Sequence, residues 1–291
     1  MALFTTAIVG GLALGGILAV ISLGMVLAYR GTGTVSFAHG QLMLFGAFFV
    51  GWLDAKGGWP FPVVLLIGLS VPAIIAGAFY VLFLRRLIGL PELFGLLATL
   101  GLASVLDAGA VALWGSNDYG VHVPGVSGGV VHLFGASVDR PSLIIAGATI
   151  VIALAMATVL RLTHLGTLVR AAGQDPVLAS QGGIHIHRVF LGAWAVSGAL
   201  AGLAGIAYAD LNIASSGLEL VALSALPAMV IGGMDSLTGA LLGGLLVGIF
   251  EGLISTYVNG DFVQPASYLL LLVVLLIRPE GLMGTRYVSR L

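Results

Sequence analysis

The 291-residue chain has no cysteine and a single lysine, Lys56. Without thiols there can be no disulfides, iron–sulfur clusters or thiolate zinc sites, and the redox compartment leaves no mark on the sequence. Lys56 is followed by Gly57, so the phosphate-cradling pattern G-x-x-x-x-G-K-[ST] is missing. The chain has no P-loop with which to hydrolyse ATP. Charge is scarce too: 8% of residues, against about 25% in an average soluble domain. So few charges cannot cover a soluble fold of this size, which excludes disorder, nucleic-acid binding and an ordinary cytosolic enzyme. A net charge of −1 offers no field to attract a polyanion. No H-E-x-x-H occurs, and no G-x-S-x-G sits between a strand and a helix. His185 and His187 form an H-x-H with no third ligand nearby, which reads as a solvated loop.

What is abundant is apolar sequence, 59% of residues, with 44 glycines. A helix needs about 20 mostly apolar residues to cross roughly 30 Å of hydrocarbon. Nine segments qualify: 6–29, 35–53, 62–84, 93–114, 141–160, 189–209, 218–233, 236–257 and 264–278. Segments 218–233 and 264–278 are short, and a re-entrant one would leave eight spans. The first segment lacks a basic n-region, because 1–9 holds no Lys or Arg, and it is too long for a signal-peptide core. It reads as a retained span. The whole of 1–291 is then one all-α, polytopic transmembrane domain.

Orientation follows from the basic residues. With the N-terminus outside, Arg30, Arg85, Arg86, Arg161, Arg170, Arg188, Arg278, Arg286 and Arg290 all fall inside. Only Lys56 and Arg140 fall outside. The C-terminus is then cytoplasmic, 115–140 is an external loop, and 161–188 is a cytoplasmic one. Trp52, Trp59 and Trp114 sit at expected outer ends and Trp194 near an inner end, where amphipathic rings favour the headgroup zone.

Two glycine-bearing breaks interrupt the apolar pattern. The first runs Gly31-Thr32-Gly33-Thr34-Val35-Ser36-Phe37-Ala38-His39-Gly40-Gln41 straight into Leu42. A second span long enough to reach Trp52 must begin near Gly33, which carries Ser36, His39 and Gln41 into the bilayer. Such backbone is tolerated only against protein or a water-filled cavity. The second is Ile231-Gly232-Gly233-Met234-Asp235-Ser236-Leu237-Thr238-Gly239. Interrupted apolar segments in both halves of a chain point to a substrate path; a turn at the inner surface is the competing reading at each. Gly239, Gly243, Gly244 and Gly248 read as helix-packing residues. Asp107 and Glu251 are carboxylates within spans. They read either as hydrogen-bonded structural groups or as groups bordering an external vestibule. Thr99, Ser104 and Ser224 read as helix–helix contacts. An ion-coupled carrier using Asp107 or Glu251, and a membrane enzyme using His39, Asp107 and Glu251, are the rival readings.

The loop 161–188 is the most informative stretch. Asp175 suits an N-cap and Pro176 the first helical position. Gly182 or Gly183 supplies the left-handed stop. The result is a two-turn helix, 176–181, exposing Val177, Leu178 and Ala179 between the charges of Arg170 and Asp175. A capped apolar knob with a charged rim is what docking to a partner requires.

Five motifs in order resemble the permeases of branched-chain amino acid ABC importers, over nearly the whole chain. The run Arg170…Gln174-Asp175…Ala179-Ser180…Gly183-Ile184 is similar to the family's coupling loop. Val35-Ser36-Phe37-Ala38-His39-Gly40-Gln41 resembles its N-F-A-H-G signature, with Ser36 in place of Asn. Residues 198–209 look like its small-residue span. Residues 231–240 resemble its G-G-x-G-S-x-x-G-A segment, with Asp235 replacing Gly. Arg278-Pro279-Glu280-Gly281-Leu282-Met283-Gly284 matches its R-P-x-G-L-x-G tail.

The length favours the shorter, H-type subunit. The resemblance implies an ABC importer permease in a bacterial inner membrane, binding no cofactor itself. It implies a second, M-type permease subunit, two cytoplasmic ATPases that use ATP, and an external solute-binding protein. It also implies a translocation path including Ser36, Phe37, His39, Gln41, Thr99, Asp235 and Ser236, and ATPase coupling through Arg170, Asp175, Val177, Leu178, Ala179 and Gly183. Branched-chain amino acids are the expected cargo; urea, short amides and other small polar solutes are carried by related permeases.

Overall fold

A computed structural model describes residues 2–284 apart from 116, 127, 134, 135 and 216; Arg286 and Arg290 lie outside the described residues. Helix α1 (Ala2–Thr32) is followed by α2 (His39–Lys56), α3 (Phe61–Leu87) and α4 (Glu92–Trp114). A short antiparallel hairpin, β1 (Val130–Leu133) with β2 (Ala136–Asp139), decorates the loop before α5 (Arg140–Leu162). Then come α6 (His164–Gln174), α7 (Pro176–Gln181), α8 (Ile186–Leu211), α9 (Leu218–Leu223), α10 (Ala225–Gly232), α11 (Leu237–Tyr257) and α12 (Val263–Ile277).

Seven helical segments among the described residues are long and apolar enough to cross a membrane. They are α1, α3, α4, α5, α8, α11, and α12 with the 3₁₀ turn that precedes it. Helix α2, with 18 residues, fills the place of the expected second span. Segment 218–233 is the exception. It is broken at Ser224 into α9 and α10, and the 15 residues Leu218–Gly232 reach only about 22 Å. It cannot cross, and forms a half-span.

Helix α1 is the axis of the bundle. Residues Ile17 to Ala28 are buried without interruption, and α5, α8, α10 and α11 pack around it. A helix buried all round needs no amphipathic stripe, which is why α1 is apolar on every side. Its closest neighbour is α11, and glycine sets that distance. A Cβ on Gly248 would lie 2.1 Å from the Gly15 Cα, and one on Gly244 would lie 2.4 Å from the Ala19 Cα. With lipid as apolar as leucine, such backbone contact and its dispersion energy replace the hydrophobic effect as the force between helices. The pair α2 and α8 repeats the device: a Cβ on Gly46 would sit 2.4 Å from the Gly202 Cα.

Two tryptophans differ from the interfacial placement expected of them. Trp114 is buried edge-on against Phe45, Phe48 and Phe49. Trp194 is fully buried between His39 and Phe79. Aromatic area is worth more in these internal clusters than at a headgroup. Trp59 is exposed, and Trp52 carries Lys56 over its ring at 3.7 Å.

Replacing Gly248 with leucine is expected to lower the thermal unfolding midpoint in detergent by more than about 5 °C, because α1 and α11 must separate. Gly10→Ala, on a stretch of α1 with open space at its Cβ position, is expected to leave it unchanged.

Candidate translocation site and coupling surface

The first break lies deep in the bundle. After Thr32, Gly33 adopts φ +68° and the chain turns back inward as non-helical backbone to Ala38. Ser36, Ala38 and His39 are at most 1% exposed. The Phe37 amide donates to Thr99 Oγ1 at 3.2 Å. Thr99 lies seven residues into α4, about 10 Å from its end. His39 Nε2 lies 2.6 Å from Ser197 Oγ, and that hydroxyl donates to the Gly24 carbonyl at 2.7 Å. The Ser197 proton is thereby committed to Gly24, so His39 Nε2 is the donor to Ser197. Ser197 is eleven residues into α8, about 16 Å from its start. The Phe37 bond satisfies irregular backbone where lipid could not, and the other two satisfy buried side chains.

Beside this segment is a cavity of about 340 Å³ between α2, α4 and α9. Ser36, Phe37 and Gln41 line it from one side, Ser104 and Asp107 from α4, and Glu219 from α9. Gln41 Nε2 donates to Glu219 Oε2 at 2.8 Å. Ser36 Oγ and Gln41 Oε1 are buried with no hydrogen-bond partner among the described residues. His39 and Thr99 stand one bond behind the lining and fix its shape. The half-span closes the wall: a Cβ on Gly40 would come 3.1 Å from the Glu219 Cα, so the start of α9 seats directly on α2.

The second break is differently placed. The chain around Gly233 is a tight turn at the end of the bundle that carries Arg30, not an opening at depth. Gly233 takes φ +111°, and Ser236 caps α11 by accepting from the Gly239 amide at 3.0 Å. Arg30 holds the turn through the Asp235 carbonyl, with Nε donating at 2.7 Å and Nη2 donating as well. The tail folds over it, with the Leu282 and Met283 amides donating to Ile231 and Gly232. Asp235 and Ser236 are therefore not among the residues lining the cavity. The second half is interrupted between α8 and α9: Ala214 pairs with Tyr119, and Glu219, at the start of α9, reaches Gly40.

The carboxylates named by the rival readings are separated. Asp107 lines this cavity, while Glu251 lines another, of about 490 Å³, with Tyr208 and Ser224. Glu251 is 2% exposed and accepts the Ser267 hydroxyl at 2.6 Å. His39, Asp107 and Glu251 form no common site. Among the described residues no group of three metal-ligating side chains occurs, and His187 Nδ1 is bound to the Tyr80 hydroxyl at 3.0 Å. Glu219 and Ser197 were missed by sequence reasoning. Glu219 is the only charged side chain of segment 218–233, and that alone could have singled it out; Ser197 resembles any small residue of α8.

The 161–188 stretch holds two helices rather than one. Helix α6 precedes the expected α7, which runs Pro176–Gln181, and Asp175 Oδ1 accepts from the Leu178 amide at 2.9 Å. Gly183 has φ +82°. Val177 and Leu178 are 65% and 64% exposed. Ala179 is not part of the knob. It is 7% exposed and turned inward, one residue being enough on a helix to change face. Arg170 is not a free rim charge either. Its guanidinium donates to the Leu160 carbonyl at 2.9 Å and to Thr167 Oγ1 at 3.1 Å, tying α6 to the open end of α5. Helix α6 reaches the bundle axis at Gly173, where a Cβ would lie 2.1 Å from the Arg30 carbonyl oxygen.

Residues 7–278 match the family described as "Branched-chain amino acid transport system / permease component". The chain is 29% identical to the high-affinity branched-chain amino acid transport system permease protein LivH of Escherichia coli K12, covering 96% of this chain and 95% of that one. It is 25% identical to the permease protein BraD of Pseudomonas aeruginosa, over 97% and 96%. The fructose import permease protein FrcC of Rhizobium meliloti is 23% identical over 76% of this chain and 63% of its own.

Ser197→Ala is expected to leave the buried His39 Nε2 without a partner and to destabilise the protein by about 1–3 kcal/mol, read as a lower unfolding midpoint. Ser104→Ala, which removes only a bond within α4 on an exposed face, is expected to change it by less than about 0.5 kcal/mol.

Proposed function

The chain belongs to the permease-component family of branched-chain amino acid transport systems, and from that premise we propose how it works. It is a membrane-spanning permease subunit of an ATP-driven importer. A second, M-type permease subunit covers the open side of the cavity between α2, α4 and α9. A solute-binding protein on the outer face delivers branched-chain or related amino acids. Two ATPase subunits bind at the arginine-bearing end, which faces the cytoplasm with the C-terminus, while the N-terminus and the β1–β2 hairpin lie outside. The excess of arginine at that end supports this orientation. Ser36, Phe37, Gln41, His39 and Thr99 shape the path. Asp235 and Ser236 shape the turn through which it is moved.

The observation that carries the reading is α7. Two large apolar side chains, Val177 and Leu178, stand exposed on a helix of six residues that is capped by Asp175 and followed by a glycine stop. So short a helix is not stable by itself, and exposure of this kind at an ordered element marks a contact with another protein. An ATPase that grips α7 moves α6 with it, and through Gly173 and Arg30 reaches the bundle axis and the Asp235 turn.

Replacing Val177 and Leu178 together with aspartate is expected to abolish copurification of the ATPase subunits and lower ATP-dependent uptake at least tenfold, with the unfolding midpoint unchanged. Ala179→Asp is expected instead to damage the fold. Intact association and uptake in the double variant would remove α7 from the mechanism.

A further inference from the structure

The cavity between α2, α4 and α9 contains two carboxylates and no basic side chain among its described lining residues. Charges at this depth are costly unless paired. Among the described residues the Gln41 amide is the hydrogen-bond donor to Glu219. Asp107 lies on the same cavity from the α4 side, about 12 Å along that helix from Thr99. Two further polar atoms point to a missing ligand: Ser36 Oγ, on a residue 1% exposed, and Gln41 Oε1 are both without partners at this wall. Burying such atoms unpaired costs free energy that an incoming solute can recover. The polar groups at this wall are mainly acceptors: two carboxylates, the unpartnered Gln41 amide oxygen and the unpartnered Ser36 hydroxyl. An ammonium, with three N–H donors and a positive charge, fits that set. Leu100, Leu223 and Leu226 supply an apolar wall beside it.

We propose that Glu219 and Asp107 make this cavity selective for solutes bearing a cationic amino group, with Gln41 positioning Glu219 and the leucine wall receiving an aliphatic side chain. The proposal rests on the permease reading above and deepens it. It favours solutes that carry an ammonium group, amino acids among them, over urea and short amides, which have none.

The cysteine-free sequence provides a direct probe. In the assembled transporter, Ser104→Cys places one thiol on the cavity wall. Its reaction with a cationic methanethiosulfonate is expected to outpace that with an anionic one of similar size by about tenfold beyond their ratio on a free thiol. Adding Glu219→Gln or Asp107→Asn should each reduce the ratio about threefold. ATP-driven uptake of leucine by either variant should fall while the complex still assembles. If Glu219→Gln prevents assembly, Asp107→Asn, an exposed position on α4, carries the test alone. A ratio unaffected by loss of the carboxylates overturns the proposal, and so does a parent that takes up urea in preference to leucine. Both leave the permease reading standing. A parent complex with no ATP-dependent uptake of any solute would overturn the permease reading instead.

Discussion

Between Gly33 and Ala38 the backbone runs open at a depth where a lipid environment offers no hydrogen bonds, and the contact from the Phe37 amide to Thr99 Oγ1 meets that constraint. Much else is arranged around it. His39, the first residue of α2, is pinned through Ser197 to the Gly24 carbonyl, so α2 starts inside the bundle instead of at its edge. The space that a full-length α2 would have filled remains as a cavity. The half-span α9–α10 then begins where α2 begins, with Glu219 against Gly40. Two short starts facing each other leave polar side chains inside the bundle without exposing backbone to lipid, an arrangement suited to passing a polar solute.

The opposite constraint holds at the arginine-bearing end, where polar groups are plentiful and rigidity is the scarce property. Arg30 occupies a junction. Its guanidinium holds the Asp235 turn between α10 and α11, and its carbonyl oxygen is pressed by Gly173 of α6. Arg170 fastens the other end of α6 to α5. Close-packed elements of this sort shift as bodies and do not deform smoothly. A displacement of α7 therefore has a continuous path of contacts to the two helices, α1 and α11, whose glycine-lined seam forms the core.

Much of this was legible in the sequence where a local rule applied. The apolar lengths gave the spans, and the Asp-Pro…Gly-Gly pattern gave α7 to the residue, because caps and stops are encoded within a few positions. Glycines such as Gly244 and Gly248 were readable as packing, though their partners Ala19 and Gly15 on α1 were not. What escaped depended on tertiary position. Ala179 and Leu178 look alike in a string of letters and differ only in the side of α7 they occupy. The breaks at Gly33 and at Gly233 look alike too, yet one is held at depth by Thr99 and the other at the end of the bundle by Arg30. The gap between α8 and α9 was legible as a polar stretch, but the contact of Ala214 with Tyr119 and of Glu219 with Gly40 was not, because those partners are distant in sequence. Trp114 and Trp194 followed their aromatic neighbours inward against the usual preference of tryptophan for the interface.

The central claim is that motion in this bundle is driven from α7 by a separate nucleotide-hydrolysing subunit. The most direct measurement is radiolabelled leucine accumulation in sealed vesicles, with the chain reconstituted alone and then with its permease, ATPase and solute-binding partners. The account predicts no accumulation by the chain alone under any proton or sodium gradient, and accumulation only when the full set is present with ATP. Gradient-driven accumulation by the isolated chain would contradict it.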